Sequence, residues 1–569
     1  VLGVTDQQHK TGFAGYVFEA VERSHRVAVC LLVLLGCVLF IPGLSTLQPM
    51  DRDEPRFAQA SKQMLETGDF VDIRFQDEAR HKKPVGIYWL QAAAVATGDA
   101  LGVEDAHRQI WLYRLPSLLG AVLSLLATYW AGLAFLERRS AFLAAVLFAA
   151  TLLIGVESRL AKTDALLCAV TVASLGALAH AFVASIRGTV LPVWTVWLFW
   201  IAMALGLLIK GPITAAIVLF AALAGMRGRQ GGLWLKPLFP FWGPVLLLLI
   251  VMPWFVAIIM KSGGDFFAAS VGHDMLGKVA GAQERHGGPP GLYLVVFFAT
   301  AWPLAPLFCL ALPFIWRTRR EAGVLFLLGW IVPFWIILEL VPTKLPHYVL
   351  PLYPAMAILA VMAAERGLIV LDGWGLRLAQ VWLVLLPLVA LGALAFGSWW
   401  LGDAFPQTAV LLLILALWPA FEAARSLGRG FVGQTGLYAA FASCVIALAA
   451  YQMGAPALQS IRISGRMAEA FKSAPCKDGA WATTGYAEPS LVFLTRTDLQ
   501  LVSAEGMVDF LQGPGCRMGF VTQVQKPIFE QAMQAKGLVV KPLNDISGFN
   551  INGGKRLTVS LYVKEDNKP

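Results

Sequence analysis

The chain has 569 residues, of which 57% are hydrophobic and only 14% charged, against roughly a quarter charged in an ordinary soluble domain. That excludes a purely soluble fold, whose core could not hide so much apolar surface. The formal charge of +9 does not indicate nucleic acid, because the basic residues sit in short clusters between apolar runs, as in membrane loops.

In chain order, the first apolar run, 26 to 47, follows no signal-peptide cleavage pattern and is long enough to remain as an anchor. Runs of spanning length recur near 112 to 134, 141 to 157, 164 to 186, 191 to 209, 212 to 226, 238 to 260, 292 to 315, 322 to 341, 348 to 364, 379 to 400, 408 to 424 and 434 to 452. At about 20 residues per crossing this predicts about 13 spans. The segment 85 to 101 is short and contains Asp99. Read as an interfacial helix, it makes every second loop basic: Arg138-Arg139, Arg187, Arg227 with Arg229 and Lys236, Arg317 with Arg319 and Arg320, Arg366 with Arg377, and Arg425 with Arg429. Under the positive-inside rule these loops are cytoplasmic, as is the N-terminus with Arg23 and Arg26. Counted as a span, the same segment would turn Arg138-Arg139 outward.

The predicted architecture is therefore a membrane all-α domain, 1 to 454, followed by a small soluble mixed α/β domain, 455 to 569, on the non-cytoplasmic side of the membrane. In the tail, CRMGFVTQ and RLTVSLYV read as strands, and KPIFEQAMQAKG as a helix ended by Gly537. Five cysteines lie in apolar runs, where they act as small core residues. Cys476 and Cys516 face an oxidising compartment and are candidates for a disulfide.

The polar motifs gather on the outer face. In DRDEPRFAQASKQMLETGD, Asp53 is placed to cap a helix with Pro55 in its first turn and Gly68 at its end. Phe57, Ala60, Met64 and Leu65 would share one face of an amphipathic helix in the interface. A plain N-cap is the simpler reading of Asp53 alone, but Glu54, Arg56 and the following HKKPVGIYW argue for a site. His81-Lys82-Lys83-Pro84 puts positive charge at the start of the second interfacial segment, where it favours phosphate or anchors to headgroups. Lys210 and Lys344 stand in tight outer joints, LLIKGP and PTKLPHYVLP, where a charge at the membrane edge needs a partner. Asp164, at the mouth of a span, is a companion for Asp53 or a partner for Arg159. Tyr348 is a hydrogen-bond donor to phosphate or a packing residue. The loop 261 to 291 adds His273 and Lys278. His273, Asp274 and His286 could ligate a metal, but their spacing matches no zinc signature. No cofactor is expected to be required, a bound divalent ion being the lesser alternative.

As a set, DEPRFAQASKQML, KKPVGIYW, RLPS at 114 to 117, LAKTDALL, LIKGP and KLPHYVLPLYP resemble the GT-C glycosyltransferases of the protein O-mannosyltransferase superfamily, and more closely the bacterial lipid A aminoarabinose transferases. The resemblance covers about 50 to 360. It implies transfer of 4-amino-4-deoxy-L-arabinose from undecaprenyl phosphate to a lipid A phosphate on the periplasmic side, with resistance to polymyxin and cationic peptides. It also implies Asp53 as the principal acid, with Lys83, His273, Lys278 and Tyr348 around the carrier phosphate. The places of Glu54 and Asp164 on the outer face add them as acids beside Asp53, and those of Arg56, Lys210 and Lys344 add them to the phosphate site. Lys82 stands where some members hold Glu, and Lys278 where they hold Arg. The expected partners are the lipid-linked donor, lipid A and membrane lipids, acting on a monomer without nucleic acid. The alternatives are another polyprenyl-phosphate-sugar transferase and a lipid-linked-sugar transporter. Transporters usually place polar groups at the midplane and often carry paired repeats, and neither feature is seen here.

Overall fold

A computed structural model describes residues 13–49, 52–227, 231–277, 287–475, 478–540 and 542–564, the side chains of 273–276 excepted. Among these residues, nine helices are long and apolar enough to cross a membrane: Ile110–Gly132, Asp164–Arg187, Val193–Lys210, Trp242–Ser262, Ala322–Leu340, Pro346–Glu365, Gly373–Leu401, Gln407–Gly428 and Val432–Ala457. His25–Phe40 and Ile213–Gly225 are shorter apolar helices. Each predicted run contains a helix, but among the described residues nine helices, or ten with a bent pair counted as one span, are long enough, against the about 13 spans expected. The run at 26 to 47 is helical only to Phe40, and two others are not single rods. The run at 292 to 315 is two helices, Leu292–Thr300 and Leu304–Thr318, bent by 120° at Pro303, which has no amide hydrogen to carry the helix on. The run at 141 to 157 breaks after Ala149, and the amide of Leu152 donates instead to the carbonyl of Trp302.

The first outer loop carries the helices Asp53–Thr67 and Gly86–Ala100 with a short hairpin between them, β1 (Arg74–Phe75) and β2 (Glu78–Ala79). The N-cap of the first helix is Arg52, so Asp53 is its first helical residue and not the cap. Pro55 falls inside the first turn, where a missing amide costs nothing. Gly68, at φ +72°, closes the helix by donating to the carbonyl of Met64. The expectation of an amphipathic helix lying in the interface needs correction, because both faces are covered. Phe57, Ala60 and Met64 pack with Tyr88, Leu208 and Trp254, while Gln59, Ser61 and Lys62 are buried as well.

The cover on the polar face is the C-terminal region. Its five-stranded sheet has the order β4-β3-β5-β7-β6, comprising Gln500–Leu501, Ala480–Thr484, Arg517–Thr522, Lys555–Lys564 and Pro542–Asn550. β3 runs parallel to β4 and β5, and β7 antiparallel to β5 and β6. Helix Ile463–Ser473 packs on one face through Ile463 and Met467; Ala504–Gln512 and Lys526–Ala535 pack on the other through Met507 and Phe529. The two predicted strands and the predicted helix are present, and Gly537 has the left-handed φ of +62° that ends the helix. Cys516 is held in a disulfide; Cys476 lies outside the described residues.

This domain docks through Pro489–Leu494 and the turn after it. Phe493 is fully buried with its ring edge on Tyr113 at 5.2 Å. Gln59 donates to Thr497 Oγ1 (2.8 Å), Arg108 to the Thr495 carbonyl (2.8 Å) and Lys62 to the Phe493 carbonyl (3.4 Å). Phe493→Ala should therefore cost about 3–5 kcal/mol of packing. It should also make the C-terminal domain susceptible to limited proteolysis at concentrations that leave the wild type intact.

Candidate functional site

Helix Asp53–Thr67 is aimed by a buried ion pair. Glu54, with no exposed surface, accepts from Arg114 Nε at 2.7 Å and Nη2 at 3.0 Å, and from the amide of Ala161 at 3.0 Å. Arg114 also donates to the carbonyls of Leu44 and Leu47, each at 2.7 Å. Glu54, expected beside Asp53 as an acid, is corrected to a positioning residue: five protein contacts spend the pair's charge.

One residue away, Asp53 is in a different setting. Its side chain is 44% exposed, and Oδ1 lies 3.9 Å from both Arg56 Nη1 and Arg80 Nη2. Burial opposes its charge, but Arg80, Lys162, Arg56 and His347 outweigh that and hold the carboxyl below its ordinary value. Because the folded pKa is depressed, the charge and its stabilisation persist above the unfolded value of about 3.9 and fade only as the pH falls through the folded one.

His347, whose charge acts on Asp53, also lines a cavity of about 470 Å³ with a polar end and an apolar body. Lys82, Lys83, Lys210, Asp164, His347 and Tyr348 line the polar end; Leu167, Leu207, Phe255, Phe334, Ile337 and Val341 are among the apolar lining. Lys83 is brought there because Gly86 lets the second outer helix press on helix Val193–Lys210: a Cβ at Gly86 would come within 2.8 Å of the Leu208 carbonyl oxygen. Lys210 donates to Asp164 Oδ1 at 2.5 Å and lies 5.0 Å from the Tyr348 ring centroid. Asp164 is therefore the partner of Lys210 and not of Arg159, whose guanidinium donates to the carbonyls of Leu39 and Pro42. His81 is withdrawn from the cavity into a 2.7 Å contact with Asp72.

Glu157, Asp164 and His347 place three potential metal-ligand atoms within 4.8 Å of one another. Lys162 stands 3.5 Å from Glu157, and Lys210 is paired with Asp164, so both carboxylates already have an ammonium partner. A metal ion would have to displace two lysines, and these residues fit an ion-pair network better than a metal centre. Of the metal candidates seen in sequence, His286 lies outside the described residues. So does Lys278, and the His273 side chain is not described.

Lys344 is a correction. Its ammonium donates to the carbonyls of Leu338 (2.9 Å), Glu339 (2.7 Å) and Val341 (2.9 Å), which spends all three N–H groups on the end of helix Ala322–Leu340. In the sequence its charge at a tight joint reads as a ligand-binding group, but it serves the otherwise unpaired carbonyls of the helix end. Conversely, Arg80, Lys162 and His347 were not singled out, although each lies within two or three residues of a candidate in EARHKKP, LAKTDALL or KLPHYVLP. Replacing Lys344 by Met should lower thermal stability by about 1–3 kcal/mol without weakening lipid-phosphate binding, whereas Lys83→Met should weaken binding. Thermal unfolding and lipid-phosphate titration of each variant separate the two roles.

Comparison with known proteins agrees with this geometry. The model of the dolichyl-phosphate-mannose-protein mannosyltransferase family matches residues 30–262. The undecaprenyl phosphate-alpha-4-amino-4-deoxy-L-arabinose arabinosyl transferase of Pseudomonas aeruginosa is 29% identical over 403 residues, 70% of this chain and 71% of the relative. The protein of the same name from Erwinia tasmaniensis is 30% identical over 313 residues, 54% of each. The crystal structure of ArnT from Cupriavidus metallidurans bound to undecaprenyl phosphate matches with a TM-score of 0.72, covering 96% of this chain and 99% of that one at 19% identity. Its apo form gives 0.68 over 94% and 96%. The chain is thus similar in sequence to the protein mannosyltransferase family over residues 30–262 and to the aminoarabinosyl transferase over 70% of its length, and it shares the fold of ArnT.

Proposed function

We propose that this membrane protein transfers 4-amino-4-deoxy-L-arabinose from undecaprenyl phosphate to a lipid A phosphate, a modification that lowers the affinity of the surface for polymyxin and cationic peptides. The observation that carries the reading is the cavity of about 470 Å³: its apolar body suits a polyprenyl chain, and Lys82, Lys83 and Lys210 at its polar end suit the phosphate. The similarity to proteins bearing the aminoarabinosyl transferase name supports the choice of sugar. The site and the C-terminal domain are on the periplasmic side, the N-terminus is cytoplasmic, and residues 455 to 569 act as the cover of the outer loop.

The sugar leaves one phosphate for another. As the anomeric C–O bond to the carrier breaks, its electron pair goes to the carrier phosphate, where the lysines and the Tyr348 hydroxyl stabilise the growing charge. The acceptor phosphate attacks already ionised and needs little general-base help. Asp53, kept anionic by its arginines, then acts by orienting the sugar and stabilising an oxocarbenium-like carbon or the sugar's ammonium group.

Incubating the purified protein with the polyprenyl-linked sugar and lipid A should add one amino-pentose to lipid A by mass spectrometry. Binding of both lipids without a mass increase would instead indicate transport. Asp53→Asn should reduce turnover by about 10²–10³; near-normal turnover would remove Asp53 from the mechanism. Between about pH 5 and 8 the rate should show no acidic limb from Asp53, since the neighbouring cations hold its carboxyl below the ordinary carboxylate range. A hydroxyl acceptor, which needs a base, would give a marked limb.

A further inference from the structure

Transfer between two phosphates requires two anion seats, and among the described residues two sets of cations stand near Asp53 and the cavity. One is the lysine group at the polar end of the apolar cavity. The other flanks Asp53, where Arg56 and Arg80 approach the same carboxylate oxygen at 3.9 Å. Neither arginine is among the residues lining the cavity.

Arg80 has the more telling environment. Its residue is only 8% exposed, its amide is fixed to the Ile73 carbonyl at 2.7 Å, and its guanidinium stands 5.0 Å from the Phe57 ring centroid. Yet among the described residues its Nε is buried and without a hydrogen-bond partner, and its contact with Asp53 is too long to be a hydrogen bond. A guanidinium held in place with an unused donor is preorganised for an anion that presents several oxygens.

Building on the transferase reading, we propose that Arg80, together with Arg56, seats the phosphomonoester of the acceptor beside Asp53, apart from the lysine seat of the donor phosphate. The charges balance. A dianionic acceptor phosphate oxygen bonds to the anomeric carbon and becomes a phosphodiester monoanion, while the donor phosphodiester takes the electron pair of the broken C–O bond and leaves as a monoester dianion. No proton has to move. The arginine pair therefore selects an anionic acceptor, since a hydroxyl would gain nothing from it.

The test is steady-state transfer by the full chain in nanodiscs, with donor and lipid A titrated separately and dephosphorylated lipid A as a second acceptor. Arg80→Gln should raise the KM for phosphorylated lipid A by about tenfold or more while changing the donor KM less than about twofold, and Arg80→Lys should fall between. If the donor KM rises instead, Arg80 belongs to the carrier seat and the proposal is overturned. An unchanged acceptor KM beside an active wild type also overturns it and leaves the transferase reading intact. Wild-type protein that modifies no acceptor overturns both. Should Arg80→Gln fail to fold, Arg80→Lys decides: an acceptor KM equal to wild type refutes the proposal, and an intermediate one with unchanged donor KM supports it.

Discussion

The site depends on the ion pair of Glu54 with Arg114, buried together at the base of the outer face. Separating such a pair would strand a charge in a poorly polarisable interior, at a cost of about 3–5 kcal/mol. Its hydrogen bonds gather four segments. Arg114 belongs to the span Ile110–Gly132 and reaches the carbonyls of Leu44 and Leu47 after the first apolar helix. Glu54 begins the outer helix and takes the amide of Ala161, just before the span Asp164–Arg187. Asp53 and Asp164 are each adjacent to or within three residues of this junction, so the same bonds set the position of both.

Around the junction, charge is distributed by neutralisation. Asp164 is committed to Lys210, and Glu157 to Lys162; His347 lies 3.6 Å from Glu157 and 3.7 Å from Asp164. Asp53 approaches Arg56 and Arg80 at 3.9 Å and its side chain remains 44% exposed, which leaves it disposed to meet a developing positive charge. The C-terminal domain contributes from above: Glu488 accepts from Arg52 at 3.2 and 3.3 Å, immediately before Asp53. Docking of that domain and placement of the acid are therefore mechanically linked.

Much of the fold was legible in the chain because membrane insertion imposes a strong one-dimensional signal. Apolar length located the helices, and turn glycines located the ends of Asp53–Thr67 and Lys526–Ala535. The errors arose where a local rule met a long-range contact. The outer helix reads as amphipathic because Phe57, Ala60, Met64 and Leu65 share one face, but on the opposite side Gln59 and Lys62 are buried against Thr497 and the Phe493 carbonyl, more than 400 residues away in sequence.

By itself, the sequence determined that this is a multi-pass helical membrane protein with a soluble α/β tail, and it marked Asp53, Lys83, Lys210, Asp164 and Tyr348 as polar residues with chemical potential. Hydropathy and short motifs are properties of neighbouring residues, so they can be read along the chain. Only the tertiary structure decided which charges remain available. Ion pairing is decided by distance in space: it turned Glu54 and Lys344 into structural ties, paired Asp164 with Lys210, and brought Arg80 from an unremarked charged run to within 3.9 Å of Asp53.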